Sequence, residues 1–365
     1  MRGLAAILVS GALLATTALA NDFPKVTAGS QNFGRDLYQQ FSSAQRNVVI
    51  SPLSAYLALA VTRLGTKGRT QQELNQVLGL DLNNLHEQEF ISLQRNFATP
   101  KDSSKVVVAN KVFLNNKFQI QPKFVEDARN VFHTTADTLD FSSPRTANEI
   151  MNNWVKNITR NKITSIMDRD TVNDDTKVVV VNVMYFRGPW NYKFYSPSEP
   201  RPFYLDETNT VSAQFMSKED YYGFVDLKGL DAQLIELPYR DNDYSFVIIS
   251  PKSRIGLSLL ESRISGLNVA DLVSKVAQVE ITLHLPKFQI DTSMSLNQPL
   301  SNMGIKSIFS DNADLTGLSA GERLKVSEVF QKNYFEINEN GTEAAASTSI
   351  RVIAISAKLT ETSSP

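Results

Sequence analysis

The chain has 365 residues, 42% hydrophobic and 21% charged, with a formal net charge of -1. That balance is ordinary for a globular protein, and without a basic stripe nothing points to a nucleic-acid partner. Cysteine is absent, which excludes disulfides, a thiol nucleophile and thiolate-bound metal, so the fold has to be held by its core.

Residues 1–20 read as a signal peptide. Arg2 supplies a positive start, Leu4 to Leu14 an apolar stretch, and Ala18-Leu19-Ala20 a small-x-small cleavage pattern. A membrane anchor would need about 20 apolar residues, and Thr16, Thr17 and Asn21 interrupt too early. The expectation is a secreted, extracellular protein beginning at Asn21, with no membrane span.

With no repeat and no low-complexity linker, residues 21–365 read as a single domain. Phe33 to Phe41 has helical apolar spacing, and Val48 to Leu64 follows with a Ser51-Pro52 start. After the turn Gly65-Thr66-Lys67-Gly68, Thr70-Gln71-Gln72-Glu73 resembles a capping box opening the next helix. Val106 to Leu114 reads as a strand, and Lys177 to Phe186 is a continuous apolar run expected of a strand buried on both faces. Gln233 to Leu237, Tyr244 to Ser250 and Val279 to Leu285 are further strand candidates. Long helices and strands in irregular order predict an α+β fold.

Catalytic chemistry finds little footing. Gly317-Leu318-Ser319-Ala320-Gly321 spells a GxSxG nucleophile elbow. That motif needs a strand before the serine and a histidine later in the chain. Asp311-Asn312-Ala313-Asp314 precedes it, and His86, His133 and His284 all lie upstream. The three histidines are too scattered for a metal site, and neither HExxH nor a phosphate-binding glycine loop occurs. The chain is therefore read as no enzyme, with neither metal nor cofactor.

The segment from Glu336 to Pro365 is unusual. It runs Gly341-Thr342-Glu343-Ala344-Ala345-Ala346-Ser347-Thr348, small and hydroxylic residues with little to bury. Read with a period of two, Thr342, Ala344, Ala346, Thr348, Ile350, Val352 and Ala354 form one uncharged face, and Glu343 and Arg351 fall on the other. Two readings follow: a loop that can also become a sheet strand, or a flexible tail.

These residues resemble the reactive-loop hinge of inhibitory serpins, with Glu339 as the acidic residue that introduces it. Other stretches in order along the chain are similar to the same family. They include Asn47-Val48-Val49-Ile50-Ser51-Pro52-Leu53-Ser54, Val181-Asn182, Phe186-Arg187-Gly188-Pro189-Trp190 and Leu285-Pro286-Lys287-Phe288. The resemblance implies a serpin fold with three β-sheets, eight to nine helices and an exposed reactive-centre loop at about residues 339–365. It implies a hinge of Glu339, Gly341, Thr342, Glu343, Ala344, Ala345 and Ala346. It also implies a buried "shutter" of Ser51, Ser54, Asn182 and Gln331, where the family commonly has histidine in place of Gln331, and a "breach" tryptophan, Trp190. The family continues through a Pro-Phe signature and core strands, so the domain is expected to be C-terminally incomplete at Pro365.

The implied function is suicide inhibition of a serine protease by a monomeric protein through a covalent acyl-enzyme, the alternative being a non-inhibitory carrier or storage serpin. Counted as in the family from Glu339, the seventeenth residue is Ile355, which places the scissile bond at Ile355-Ser356, with Lys358-Leu359 as the alternative. Heparin activation is not expected, because Leu78 to Pro100 carries Arg95 as its only lysine or arginine. Asn157-Ile158-Thr159 and Asn340-Gly341-Thr342 are N-glycosylation sequons. Asn157 is expected to be occupied and Asn340 bare, since a sugar in the hinge would hinder insertion.

Overall fold

The structure is a computed structural model. It describes residues 24–41, 47–81, 86–98, 104–166, 172–191, 193–195, 199–240, 242, 244–263, 267–321, 323–342 and 360–361. Among these residues there are nine α-helices and twelve strands.

Six helices dominate the first half: α1 Pro24–Gln39, α2 Pro52–Leu64, α3 Gly68–Leu78, α4 Glu87–Ala98, α5 Pro122–Phe132 and α6 Pro144–Ile158. Proline starts several of them, where its missing N–H has no intrahelical partner to lose. Helix α2, PLSAYLALAVTRL, is buried from Pro52 to Arg63, as befits a helix apolar all round its surface. Helix α3 corrects one expectation. It begins at Gly68 behind Lys67, with no side-chain cap, so Thr70 and Glu73 do not form a capping box. Each is used in tertiary contact instead: Thr70 Oγ1 accepts from the Asp314 N–H, and the Glu73 carboxylate accepts from the N–H groups of Lys306 and Ser307.

The main sheet is built from β1 Lys105–Asn115, β2 Thr135–Leu139, β3 Val178–Pro189, β9 Phe288–Ser295, β10 Val326–Asn338 and the two-residue β11 Gly341–Thr342. Their order is β2-β1-β3-β11-β10-β9. Strand β3 shows why its sequence is continuously apolar. Val179, Val181 and Val183 pack with Met151 and Val155 of α6, whereas Val178 and Val180 join the cluster containing α2. Both faces are covered, so both registers of the period-two pattern are apolar.

The second sheet contains β4 Glu199–Tyr204, β5 Thr210–Leu227, β6 Ala232–Pro238, β7 Ser245–Pro251, β8 Ala277–Pro286 and β12 Thr360–Glu361. Strand β5 is 18 residues long; it pairs with β4 from Thr210 to Phe215, with β8 from Phe215 to Phe224 and with β6 from Gly223 to Leu227. The resemblance implies three sheets; this continuous strand fuses the smaller two, so the described strands form two hydrogen-bonded sheets. Short helices α7 Leu257–Arg263, α8 Val269–Val273 and α9 Asn297–Met303 complete the fold.

Candidate functional site

The seam between β3 and β10 concentrates the polar residues that the sequence singles out. The two strands pair in parallel from Val178↔Val326 to Met184↔Asn333, with Gln331 opposite Asn182. Partner residues in a sheet share a face, so both amides meet the start of α2. Gln331 and Asn182 are each 0% exposed. Gln331 Nε2 donates to the Ser51 carbonyl and to Asn182 Oδ1, both at 2.9 Å. Gln331 Oε1 accepts from the Ser51 N–H at 2.9 Å and from Asn333 Nδ2 at 3.0 Å. Asn182 Nδ2 donates to the Ser54 carbonyl at 2.8 Å and to Asn110 Oδ1 at 2.6 Å, and Ser54 Oγ donates to Asn182 Oδ1 at 2.7 Å. The structure thus brings Ser51, Ser54, Asn182 and Gln331 into one network. A glutamine amide carries two donor hydrogens and an acceptor, which is what this position uses. Gln331 bonds Asn182 directly across the seam, so parting β3 from β10 breaks that bond, worth about 0.5–1.5 kcal/mol net, together with the backbone pairing of the two strands.

At one end of the seam, a two-residue strand stands between β3 and β10. After Asn338 the chain turns through Glu339 and Asn340 and returns as β11 between β10 and β3. Gly341 lies opposite Asn338 and Pro189, and Thr342 opposite Ile337 and Gly188. Gly341 has φ +147°, and a Cβ there would stand 2.1 Å from the Gly188 carbonyl oxygen. Only glycine fits such an approach without displacement.

The turn is pinned from several sides. The Trp190 N–H donates to the Asn340 carbonyl (3.1 Å) and the Phe194 N–H to that of Glu339 (3.1 Å). Trp190 Nε1 donates to the Asn338 carbonyl (2.8 Å), and Lys287 Nζ lies 3.0 Å from Glu339 Oε1. The Trp190 ring stacks on Tyr239 with centroids 4.9 Å apart and planes within 5°. Tyr239 and Thr342 share a short hydroxyl–hydroxyl hydrogen bond, and Thr342 is only 1% exposed. Burial holds the Tyr239 phenol well above its ordinary range, against a smaller opposing effect of the Thr342 bond, so the phenol remains a neutral partner.

Of the hinge, Glu339, Gly341 and Thr342 are therefore placed at the mouth of the seam beside Trp190. Glu343, Ala344, Ala345 and Ala346 lie outside the described residues, as do Ile355, Ser356, Lys358 and Leu359 and the segment 1–20. Asn157 is exposed at the end of α6. The sequence reading missed Asn110, Asn333 and Tyr239. Asn333 was within reach, being two residues from Gln331 and so on its face. Asn110 joins through the β1–β3 register, Asn110↔Asn182, and Tyr239 through an isolated bridge to Trp190; neither pairing leaves a local signal.

Elsewhere, Ser319 of the GxSxG match is buried in a turn, where its N–H donates to the Leu315 carbonyl. A Cβ on Gly317 would lie 3.0 Å from the Gly65 backbone, so close packing accounts for that glycine. The histidines stand apart: His86 bonds Asp81, His284 bonds Ser217, and His133 ends α5 with φ 50°.

A main sheet with a buried amide network at its β3–β10 seam and a two-residue strand between the ends of those strands defines an α+β protein of a recognisable kind. The chain belongs to the serpin family: the profile described as "Serpin (serine protease inhibitor)" matches residues 28–364. It is 32% identical over 337 residues to Antichymotrypsin-2 of Bombyx mori, covering 91% of this chain and 90% of that relative. It is also 32% identical over 335 residues to Leukocyte elastase inhibitor of Sus scrofa, covering 89% and 88%. The crystal structure of Serpin48 from the insect Tenebrio molitor superposes with a TM-score of 0.80 at 27% identity, covering 90% of each chain.

Proposed function

We propose that this chain is a secreted inhibitor of serine proteases that works once per molecule. The protease serine attacks the carbonyl of Ile355. The Ile355–Ser356 amide breaks, the Ser356 amine leaves, and Ile355 remains esterified to the enzyme. The freed loop then continues β11 down the seam and carries the acylated protease with it.

The observation that carries this reading is β11 itself. Antiparallel to both neighbours, it already has the register an inserted strand needs. Continued residue by residue, that register brings 343 opposite Arg187 and 352 opposite Val178, where β3 begins. Residue 348 then falls between Asn182 and Gln331, so a threonine hydroxyl would replace the direct bond the two amides lose on parting. Ile355 lies three residues beyond 352, leaving enough chain to fill the seam. The names of the relatives, Antichymotrypsin-2 and Leukocyte elastase inhibitor, support a protease as partner, and an aliphatic Ile355 suits a small hydrophobic specificity pocket.

The test is incubation of the protein with an elastase and with a trypsin, followed by sequencing of the new amino terminus. A start at Ser356 with an SDS-stable complex is expected. A start at Leu359 with a stable trypsin complex would move the bond to Lys358, and cleavage by every protease without a complex would overturn the inhibitory reading.

A further inference from the structure

We infer that Asn340 is an N-glycan acceptor whose sugar stays outside the sheet both before and after insertion, so that occupancy is compatible with inhibition. The sequon Asn340-Gly341-Thr342 lies in the hinge, and the reason to expect it bare is that a sugar there would hinder insertion. The geometry removes that reason. Asn340 is exposed in the two-residue turn joining β10 to β11, whereas Gly341 and Thr342 are already buried in the seam. The turn is closed by pairing Asn338↔Gly341 and Ile337↔Thr342. Any longer inserted strand would begin with these same pairs, so insertion proceeds from residue 343 onward and leaves Asn340 where it is.

The main-chain groups of Asn340 hold the turn: its N–H donates to Asn338 Oδ1 at 3.0 Å and its carbonyl accepts from Trp190. Its side-chain amide makes no hydrogen bond to the described residues, so a sugar on Nδ2 displaces no interaction. Thr342, whose hydroxyl completes the sequon, is 1% exposed and bonded to Tyr239. Burial in the folded state does not oppose transfer, which takes place on the extended chain during translocation, before the seam exists. In that step Nδ2 attacks the anomeric carbon of a lipid-diphosphate-linked oligosaccharide. The new C–N bond replaces the C–O bond to the diphosphate, which leaves with the lipid, and the amide gives up one proton.

The inference rests on the secretory reading of residues 1–20, and Asn157 serves as the internal control. The full chain is expressed in a eukaryotic secretory host, and intact glycopeptides covering Asn157 and Asn340 are read by mass spectrometry. Intact glycopeptides are required because an Asn-Gly pair also deamidates spontaneously. Glycan on both asparagines is expected, with Asn340→Gln lowering the secreted mass by one glycan. The wild-type protein is then reacted with elastase and trypsin, and glycan at Asn340 is sought in the SDS-stable band, where it should be as abundant as in the free protein. Asn157 occupied with Asn340 bare overturns this inference alone. Both sites bare in protein retained by the cells overturns it together with the secretory reading. Asn340 glycan found in free or merely cleaved protein but depleted from the complex overturns the claim of compatibility.

Discussion

Thr342→Arg puts a charge where the structure has least room for one. Thr342 is 1% exposed, lies between Gly188 and Ile337, and shares its hydroxyl with Tyr239 beneath the stacked Trp190 ring. Losing the hydroxyl pair removes about 1 kcal/mol, and leaving an ion buried without a partner costs roughly 3–5 kcal/mol. At 1.4 kcal/mol per tenfold, a total of roughly 4–6 kcal/mol disfavours the inserted state by about three to four orders of magnitude. The acyl-enzyme then hydrolyses before the loop is taken up. The assay is titration of an inhibited protease with wild type and variant, read as the ratio of SDS-stable complex to cleaved chain. The variant should be consumed as a substrate with little complex, while Thr342→Ser, which keeps the hydroxyl, should retain most of it. A Thr342→Arg protein that forms as much complex as wild type would refute the reasoning.

Gly341→Val adds a Cβ that would meet the Gly188 carbonyl oxygen at 2.1 Å in a region of φ that side chains rarely adopt. The variant should release β11 from the seam, seen as altered Trp190 fluorescence and faster proteolysis after residue 342; an unchanged spectrum and cleavage rate would contradict the close approach. Gln331→His introduces a titration that the amide lacks. Burial depresses an imidazole pKa, so the folded state binds fewer protons than the unfolded one, whose histidine pKa is about 6.5. The variant should therefore match its own best stability above that pH and lose up to about 1.4 kcal/mol per unit below it. Unfolding midpoints compared at pH 8 and pH 5 check this, and a variant that tracks wild type at both would show that the imidazole is not buried neutral.

Much of this architecture was legible in the sequence. The apolar run of β3 gave away its double burial, and Thr342, where the period-two alternation starts, stands in the sheet. Local signals failed where the cause was tertiary. Thr70-Gln71-Gln72-Glu73 has the letters of a capping box, yet Glu73 is committed to the turn at Lys306 and Ser307 and Thr70 to Asp314. Strand β5 was not anticipated, because Ser217-Lys218-Glu219-Asp220 interrupts its apolar pattern while pairing with β8 continues through it. Gln331, Asn182, Ser51 and Ser54 stood out through the family resemblance. Asn333 follows from the period-two spacing of its own strand, but that Asn110 joins the network depends on the β1–β3 register, which no local stretch encodes. Nor could spacing alone reveal that Gly341 and Thr342 already occupy the seam.

The most direct test of the central claim is the unfolding temperature of the protein before and after a single cut in the loop, made by a protease that is then removed. If residues 343–352 enter the seam opposite residues 187–178 of β3, the cut chain gains backbone bonds to β3 and β10 worth about 0.5–1.5 kcal/mol each. Even after the present β3–β10 pairs are given up, the midpoint should rise by at least about 10 °C. A cut protein that unfolds at or below the temperature of the intact one would mean that the seam accepts no strand beyond Thr342.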